Sequence, residues 1–514
     1  MEFGFVHLGR ENLGIEYLSS VLKRAGHRTR LHYDPGLFGP NDNVFYVPRL
    51  EKRFTRFHKI VGDILRRPPD VLAFSVYTNT YQWALSILAA AREGGFAGKV
   101  IFGGYHATLV PDQVMADSRA DAVCFGETEA IIVDLAEALA GHKPMAEVRN
   151  VLWRDGERVV RNPMADAIAD LDTIPFPDKA LFETEINYED DYLIMTGRGC
   201  PLSCSFCCEA TNNAIYKNKY FRRRDPRAVI DELLVMGARY GFREVMVNDA
   251  MIFTNAKWLG EFLRLYREQI RLPFRAFAYP KFMTREIAEE LVGSGCYAIE
   301  FGLQSTNEQI RKEVLNRHET NDQAMRAFKI CDEVGLPYDI DHIFGIPGEQ
   351  EKDFFEAAAM YAKLRRLNRI KCHLLSFFPN TPIVEKAHRD GLISDERLAQ
   401  INRGEIGDFF HSATVTEKQA LRRIDDFSRL YKFLPILPEP VVHKVLNTGI
   451  NRRIGRLPSP VIIALQVLGA IKGRDYRFWL YIKYYLRRLT RHFVIQRMTG
   501  ADYTAPSPAM QHGR

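Results

Sequence analysis

Short apolar runs alternate with amphipathic segments over the first 140 residues. Phe3 to Leu8 has the pattern of a strand, and Gly14 to Ala25 repeats apolar residues at helical spacing until Gly26 ends the pattern. Three later apolar runs are typical of buried strands: Val71 to Val76, Lys99 to Phe102 and Ala122 to Phe125. Strands that alternate with helices predict an α/β domain with a doubly wound, Rossmann-like parallel sheet.

A second α/β series begins at residue 191. Its six predicted strands are Tyr192 to Thr196, Glu244 to Asn248, Arg275 to Ala278, Ala298 to Leu303, Tyr338 to Phe344 and Ile370 to Phe377. Six strand–helix units predict a partial (β/α)6 barrel, in which chemistry takes place at the carboxyl ends of the strands. The sequence thus divides into an α/β domain (1–140), a connector (141–190) with a hairpin around Asp155-Gly156, the barrel (191–392) and a mostly helical region (393–514).

Composition narrows the class of protein. Hydrophobic residues make up 46% and charged residues 26% of the 514 residues, which is typical of globular chains and excludes a disordered or collagen-like one. Eight cysteines are too few for a secreted disulfide scaffold, and the first residues lack the pattern of a signal peptide. We therefore expect a cytoplasmic protein, in which clustered thiols indicate metal or redox chemistry.

Positive charge is concentrated at the C-terminal end. From Val441 onward, 13 Lys and Arg residues face only Asp475 and Asp502, so this region carries +11 and the rest of the chain −5. Arginines interleaved with aromatic residues, such as Tyr484 and Arg487, suit peripheral contact with a membrane surface or an anionic substrate. The alternative is a packed helix with a solvated charged face. Because the remaining chain is mildly acidic, no nucleic-acid partner is expected.

Three cysteines lie within eight residues, directly after the first predicted barrel strand. Cys200, Cys204 and Cys207 have a C-x-x-x-C-x-x-C spacing, and thiolates are the usual ligands of iron–sulfur clusters and zinc. A structural zinc site is the alternative, but it normally needs four ligands in pairs. Cys208 is badly placed as a fourth ligand because it is adjacent to Cys207.

This spacing, preceded by Gly197-Arg198-Gly199, resembles the radical S-adenosylmethionine (SAM) enzymes. The resemblance implies a 4Fe–4S cluster on the three cysteines, with SAM on the fourth iron. Four later segments support it: Asn248-Asp249, Ile299 to Ser305, Ile343 to Glu349 and Phe378 to Pro382. The SAM contacts that it implies are Phe206, Asn248, Asp249, Glu300, Gln304, Ser305, Ile343, Gly345 and Pro347. Phe206 has a core aromatic as its alternative role, and Gln304 stands where many relatives have Glu.

The first domain resembles the cobalamin-binding domain of cobalamin-dependent radical SAM proteins. Gly103-Gly104-Tyr105-His106-Ala107-Thr108 is similar to that family's Gly-Gly-Pro-His-Ala-Thr segment, with Tyr105 in place of proline. The tentative cobalamin contacts are Ser75, Gly103, Gly104, His106, Gly126 and Glu127. No histidine of the domain fits a DxHxxG motif, so no lower-face histidine ligand to cobalt is expected. A domain that only braces the barrel and, for His106, a structural histidine remain the alternatives.

The resemblance as a whole implies a cobalamin-dependent radical SAM methyltransferase. Its cofactors would be a 4Fe–4S cluster, SAM and cobalamin, and its product a methylated, previously unactivated carbon of a small-molecule or lipid-like substrate. A flavodoxin or ferredoxin would supply electrons. Two alternatives stay open: a radical cyclase, oxidase or isomerase on the same two-domain frame, and a non-catalytic iron–sulfur protein. Outside the cluster ligands, no catalytic residue is identified.

Overall fold

The computed structural model describes nearly all of the two α/β regions and much of the C-terminal part. The described residues are 1–40, 47–253, 255–406, 415, 417–454, 457, 459–472 and 477–499. Asp502 lies outside the described residues. Two separate sheets organise this part of the chain, and each packs its apolar face against helices.

The first sheet has seven strands in the order β2-β1-β3-β4-β5-β6-β7. The strands are β1 Glu2–Leu8, β2 Arg28–Asp34, β3 Val71–Ser75, β4 Lys99–Gly103, β5 Ala122–Cys124, β6 Val151–Asp155 and β7 Arg158–Arg161. The first five run parallel, which confirms the predicted doubly wound sheet. The predicted hairpin forms as β6 and β7, and β6 pairs antiparallel with β5, so the hairpin extends this sheet.

Seven helices surround this sheet. They are α1 Leu13–Arg24, α2 Pro48–Phe54, α3 Phe57–Arg66, α4 Thr78–Glu93, α5 Tyr105–Leu109, α6 Pro111–Ser118 and α7 Ile132–Leu139. The α1 helix begins at Asn12, whose side chain accepts a hydrogen bond from the backbone N–H of Ile15 at 3.1 Å. Apolar side chains on both faces of the sheet are buried, as expected for a parallel sheet covered on each side.

The second sheet has six parallel strands in the order β15-β14-β13-β12-β11-β8. They are β8 Tyr192–Ile194, β11 Val245–Val247, β12 Phe274–Ala278, β13 Cys296–Gln304, β14 Tyr338–Phe344 and β15 Leu367–Leu374. A two-stranded antiparallel ladder, β9 Gly197–Arg198 with β10 Arg222–Arg223, follows the first of these strands. The strands β8 and β15 do not pair with each other, so the predicted partial barrel is confirmed.

Helices connect the barrel strands. They are α8 Cys208–Ile215, α9 Pro226–Tyr240, α10 Ala256–Gln269, α11 Arg285–Gly293, α12 Glu308–Glu313, α13 Asn321–Val334, α14 Glu351–Tyr361 and α15 Pro382–Arg389. The α9 helix begins as its sequence predicts, with the Asp225 carboxylate accepting from the Arg227 N–H at 2.8 Å and Pro226 in the first turn. It ends at Gly241, where φ is +63°.

The described chain beyond residue 392 is helical, as predicted. Its helices are α16 Asp395–Asn402, α17 Lys418–Tyr431, α18 Glu439–Thr448, α19 Asn451–Ile454, α20 Ser459–Lys472 and α21 Arg477–Thr499. The α21 helix contacts both α/β regions, because Arg477 donates to the Asp339 carboxylate at 2.8 and 3.0 Å and Arg488 donates to the Tyr33 hydroxyl at 2.9 Å. Among the described helices, none combines the length and apolarity that a bilayer span requires.

Candidate functional site

The three-cysteine segment forms a loop between β9 and α8, on the carboxyl side of the barrel's first strand. Cys207 is the residue that precedes α8. Neighbouring elements hold the loop by its backbone: Asn213 donates to the Cys200 carbonyl at 2.7 Å, and Ser205 donates from its N–H to the Leu315 carbonyl at 3.0 Å. The loop is therefore shaped by residues from distant parts of the barrel.

The three thiols are close enough to influence one another. Burial raises the pKa of Cys200 to about 11 and also raises the pKa of Cys204 and Cys207. The Cys204 sulfur raises the pKa of both other thiols further. Thiols in this state must lose their protons to become ligands, so binding of a metal group here releases protons.

The donor set of the cysteine loop fits an iron–sulfur cluster. Within the described ranges, no three His, Cys, Asp or Glu side chains converge on one ion position. A 4Fe–4S cluster places each cysteine on a different iron, so its thiolates do not meet at one point. The three free thiols of the loop match that requirement.

A buried arginine that belongs to no recognised sequence motif lies beside the cysteines. Arg317 directs its Nη1 atom to the Cys204 sulfur at 3.8 Å and its Nε atom to the Glu319 carboxylate at 2.9 Å. It also donates to the Gly302 carbonyl and lies over the Tyr279 ring at 4.4 Å. Its position, 113 residues beyond Cys204 in the chain, gives no local signal, so only the fold reveals the contact.

Replacing Arg317 with Met is expected to make the midpoint potential of the bound cluster more negative, by on the order of 50 mV. The guanidinium stabilises the added electron of the reduced cluster, both by its charge and by its donor to sulfur. A redox titration followed by electron paramagnetic resonance measures this potential. Lys312→Met removes an exposed cation from α12 and is the matched control. An unchanged potential in Arg317→Met would contradict the assignment.

The SAM positions predicted on the fifth strand lie near the cysteine loop. Phe206 and Ile343 belong to one apolar cluster together with Ile346. The backbone N–H of Gly345 donates to the Glu349 carboxylate at 2.8 Å, and burial raises the pKa of Glu349 to about 8. Pro347 is half-buried in the same turn. The structure thus brings Phe206 together with the segment from Ile343 to Glu349.

The two positions predicted after the second strand differ from each other. Asn248 is exposed. Asp249 is buried, and its carboxylate accepts from the Thr196 N–H at 2.8 Å and from Arg223 at 2.5 Å. Asp249 therefore ties the loop after β11 to the β9–β10 ladder.

The fourth-strand positions end in an irregular segment. Glu300 forms an ion pair with Lys371 of β15, and burial is the main cause that raises its pKa. Gln304 adopts a left-handed conformation, with φ of +70°, where the register between β13 and β14 shifts. The Ser305 hydroxyl accepts from the Asn307 N–H at 3.2 Å. The β13 strand thus ends in a bulge beside the cysteine loop.

The glycines predicted to approach cobalamin pack against their own chain. A Cβ atom on Gly104 would lie 2.7 Å from the Val76 nitrogen, and φ at this residue is +92°. A Cβ atom on Gly126 would lie 2.3 Å from the Tyr216 hydroxyl. Gly103 has more room, since the nearest atom to such a Cβ is 3.7 Å away. Both Gly103 and Ser75 are half-buried at the carboxyl ends of their strands.

His106 has the environment of a structural histidine. It is fully buried, its Nδ1 atom lies 3.1 Å from the Thr78 hydroxyl, and its ring packs on Tyr81 at 4.3 Å. Burial lowers its pKa to about 3, so it is neutral at physiological pH. The sequence allows His106 to be either a cobalamin contact or a structural histidine, and the structural role accounts for these contacts.

Glu127 joins the two α/β regions. Its carboxylate accepts from Arg222 at 2.7 and 2.9 Å, from Arg198 at 3.1 Å and from the Ile168 N–H at 2.7 Å. Arg198 also pairs with Glu129 at 2.6 Å. We call these four charged side chains the interdomain ion cluster: Glu127, Glu129, Arg198 and Arg222. Arg198 is two residues before Cys200, so the cluster connects the first domain directly to the cysteine loop.

A second contact between the two regions joins the Gly-Gly-Tyr-His segment to α8. The Tyr105 hydroxyl donates to the Glu209 carboxylate at 2.8 Å, and Tyr77 stacks on Tyr105 with ring centroids 5.9 Å apart. The other Glu209 oxygen is buried and has no protein partner. Tyr77 is 42% accessible, so the protein does not fully cover its ring. Aromatic rings and an unpaired acceptor fit a large ring with amide donors, such as cobalamin.

Two family models match the chain, and together they cover more than half of it. The B12 binding domain model matches residues 10–136, and the Radical SAM superfamily model matches residues 194–361. The first range includes Glu127 and Glu129 of the interdomain ion cluster, and the second range contains the three-cysteine loop. The cofactors that these models imply are cobalamin, a 4Fe–4S cluster and SAM.

Curated relatives are similar to this chain over most of its length. An uncharacterised methyltransferase, PH0819, of Pyrococcus horikoshii is 24% identical, over 74% of this chain and 79% of its own. Cytidylyl-2-hydroxyethylphosphonate methyltransferase of Streptomyces wedmorensis is 25% identical, over 72% and 76%. The anaerobic magnesium-protoporphyrin IX monomethyl ester cyclase of Cereibacter sphaeroides is 24% identical, over 67% and 55%.

Solved structures share the fold. The cobalamin-dependent SAM radical enzyme OxsB with aqua-cobalamin bound matches with a TM-score of 0.64 and 14% identity, over 96% of this chain and 84% of that chain. The methyltransferase TsrM from Kitasatospora setae, with cobalamin and a 4Fe–4S cluster bound, matches with a TM-score of 0.62 and 15% identity, over 88% and 99%. With the two family models and the cysteine loop in contact with the first domain, this chain belongs to the cobalamin-binding radical SAM proteins.

Proposed function

We propose that this protein transfers a methyl group to an unactivated carbon of a small-molecule or lipid-like substrate, in a cobalamin-dependent radical SAM reaction. The observation that carries the proposal is the hydrogen bond of 2.8 Å between Tyr105 of the B12-binding domain and Glu209, two residues after the last cluster cysteine. The two cofactor-binding segments are therefore neighbours, as a reaction that uses both cofactors requires.

The cysteine loop would hold the cluster and orient SAM. When bound, the cluster and SAM supply a primary carbon radical, and cobalamin supplies a transferable methyl group. Cys200, Cys204 and Cys207 would ligate three irons, with Arg317 placed to donate to the Cys204 sulfur. The apolar cluster of Phe206 and Ile343 provides a surface for the adenine, and it excludes water from this side of the site. We further propose SAM contacts by Asn248, Asp249, Glu300, Gln304, Ser305, Gly345 and Pro347.

The carboxyl ends of β3 and β4 would hold cobalamin. Ser75 and Gly103 lie there half-buried, and Tyr77 and Tyr105, each two residues further along the chain, stack on each other. The Glu209 oxygen that lacks a hydrogen-bond partner would be available to accept from an amide of the ring. Because His106 is fully buried, it does not ligate cobalt. Gly104, Gly126 and Glu127 support the site by packing and by the interdomain ion cluster.

A cyclase is the second candidate function. One specific observation favours it, the similarity to the magnesium-protoporphyrin IX monomethyl ester cyclase. The residues described above bind and orient cofactors, and the same residues serve either reaction. Mass spectrometry of the product distinguishes the two, because methyl transfer adds one labelled methyl group from SAM and cyclisation adds none.

Anaerobic reconstitution with iron, sulfide and hydroxocobalamin tests the proposed function. About four irons and one cobalt per chain are expected, together with formation of 5′-deoxyadenosine from SAM under reducing conditions. A substrate search with methyl-labelled SAM then follows. Iron without cobalt would contradict the cobalamin-dependent reaction. Absence of both metals would contradict a radical SAM reaction in this protein.

Replacing Tyr105 with Phe tests the cobalamin site separately. The substitution removes the Tyr105 hydroxyl that donates to the Glu209 carboxylate, and we expect cobalamin affinity to fall about tenfold. Equilibrium dialysis with hydroxocobalamin measures this affinity, and the iron content reports on the cluster. Tyr240→Phe removes a surface hydrogen bond to Glu183 and is the matched control. Equal cobalamin affinity in the two variants would place cobalamin elsewhere.

We also propose a cytoplasmic location and a flavodoxin or ferredoxin as the electron donor. All eight cysteines are unpaired thiols in the structure. Unpaired thiols and an oxygen-sensitive cluster suit a reducing compartment. The donor is proposed because no described side chain of the protein can itself supply electrons at the low potential that SAM cleavage requires.

A further inference from the structure

The α20 helix presents apolar side chains to solvent along one face. Val461, Ala464, Leu468 and Ile471 are all exposed, with 58% of Leu468 and 57% of Ile471 accessible. We call these four residues the C-terminal apolar face. Their spacing of three, four and three residues puts them on one side of a helix. Large aliphatic side chains that cluster on a surface indicate an interaction site, whereas isolated ones do not.

The opposite side of α20 packs on the protein. Gly469 lies close to Ile436, since a Cβ atom on this glycine would be 3.1 Å from the Ile436 side chain. Leu465, Val467 and Ala470 are half-buried. One side of the helix therefore packs on the protein, and the C-terminal apolar face on the other side is exposed to solvent. Its 14 residues are about 21 Å long, which suits a helix that lies along a surface.

The surrounding sequence has an extreme charge balance. Between Val441 and Thr499, the chain carries twelve Lys and Arg residues and a single acidic residue, Asp475. Two of the arginines, Arg477 and Arg488, are buried against the two α/β regions. Several others are exposed, including Arg452 and Arg453 of α19. Arg452 pairs with Glu351 at 3.9 Å, so carboxylates of other segments lie nearby, but this stretch of sequence still has an excess of positive charge that complements a negatively charged partner.

The following helix repeats this combination. On α21, Trp479 is 52% and Leu486 57% accessible, and Lys483 and Arg487 are exposed on the same side of the helix. Tryptophan beside basic and aliphatic residues is typical of the boundary between lipid headgroups and acyl chains. Lys483 and Arg487 also pair with Asp190, so they lie at the edge of the body of the protein.

We propose that the C-terminal apolar face is a membrane-docking surface, which binds peripherally to bilayers with anionic headgroups. The apolar side chains insert at the headgroup boundary, and the neighbouring cations attract the anionic leaflet. This proposal concerns where the enzyme works and does not depend on cobalamin or on the reaction catalysed.

Flotation of the full-length reconstituted protein with vesicles tests the proposal. The wild type is expected to float with vesicles of phosphatidylcholine and phosphatidylglycerol, and less with phosphatidylcholine alone or at high salt. The double variant Leu468→Glu, Ile471→Glu should bind at least about tenfold more weakly, since it loses two apolar side chains and gains two negative charges. Leu234→Glu, Val235→Glu on α9 is the matched control, with 42% and 55% accessible side chains, and it should bind as the wild type does.

Three outcomes overturn the proposal. The wild type does not float with anionic vesicles, or both double variants lose binding equally, or the Leu468→Glu, Ile471→Glu variant binds as tightly as the wild type. Light scattering after size exclusion adds a further check. A wild-type dimer that the α20 variant alone converts to a monomer would show that a second copy of the chain covers this face, and it would replace the membrane proposal.

Discussion

Replacing Cys204 with Ala is expected to abolish cluster binding and, with it, all cleavage of SAM. The three-cysteine loop contributes three free thiols, and these are the proposed ligands of the cluster. Loss of one leaves two ligands, which rarely retain a 4Fe–4S cluster. Iron and sulfide counts after anaerobic reconstitution, with quantification of 5′-deoxyadenosine, measure both effects.

Cys208→Ala is the matched control for this experiment. Cys208 is also a half-buried thiol, and burial raises its pKa to about 12, but it belongs to the first turn of α8. We expect this variant to keep the iron content of the wild type. A Cys204→Ala protein that still cleaves SAM at the wild-type rate would refute the assignment of the cluster site. A Cys208→Ala protein without iron would assign Cys208 to it instead.

Replacing Glu127 with Ala is expected to lower the free energy of unfolding by about 3–5 kcal/mol. The carboxylate accepts hydrogen bonds from Arg198 and Arg222. All three side chains are buried, with exposed fractions of 4% for Glu127, 10% for Arg198 and 11% for Arg222. Its removal leaves two buried guanidinium groups without their shared acceptor. Urea unfolding followed by circular dichroism measures the change. Limited proteolysis of the connector reports whether the two regions separate.

Asp112→Asn is the control for surface ion pairs. Asp112 pairs with Arg161 at 2.5 Å, but 77% of its side chain is exposed, so the substitution should change stability by less than about 1 kcal/mol. Equal effects of the two substitutions would show that the interdomain ion cluster adds little to stability.

The pH dependence of the Glu127 effect follows from the direction of its pKa shift. Burial raises the pKa of Glu127, but Arg222 and Arg198 outweigh burial and hold it below its usual value of 4.5. A depressed pKa in the folded state means that the stabilisation is fully present above 4.5 and is lost as the pH falls through the lower, folded-state value. The stability difference between wild type and Glu127→Ala should therefore stay constant from neutral pH down to the usual carboxyl range and shrink only in stronger acid.

Local patterns in the sequence predicted the elements of this fold well. The buried strands of both sheets are short apolar runs, such as Val71–Ser75, and a pattern of this kind depends only on neighbouring residues. The strand β2 was missed because Arg28–Asp34 is an edge strand whose first half is exposed and polar, so it lacks an apolar run. The cysteine loop was predicted for the same local reason, since its three thiols are close in sequence.

Contacts between distant segments could not be predicted in this way. Glu127 was expected to contact cobalamin, whereas its partners Arg198 and Arg222 are 71 and 95 residues away. Arg317 had no motif at all, because its role depends on a contact with Cys204 across 113 residues. Lys371 similarly meets Glu300 only because β13 and β15 flank the same strand. The choice between ligand contact and structural support therefore rests on the fold.

The position of α21 determines the order in which the protein can be completed during synthesis. Chains emerge from the ribosome amino end first, and domains fold as units once their residues are available. The B12-binding domain and the barrel can therefore form their sheets while α21 is still being made. Asp339 obtains its partner Arg477, and Tyr33 obtains Arg488, only after translation has passed both positions. A ribosome that stalls shortly before residue 477 would leave both sheets without the contacts that α21 makes to them, although the residues of the interdomain ion cluster would already be in place.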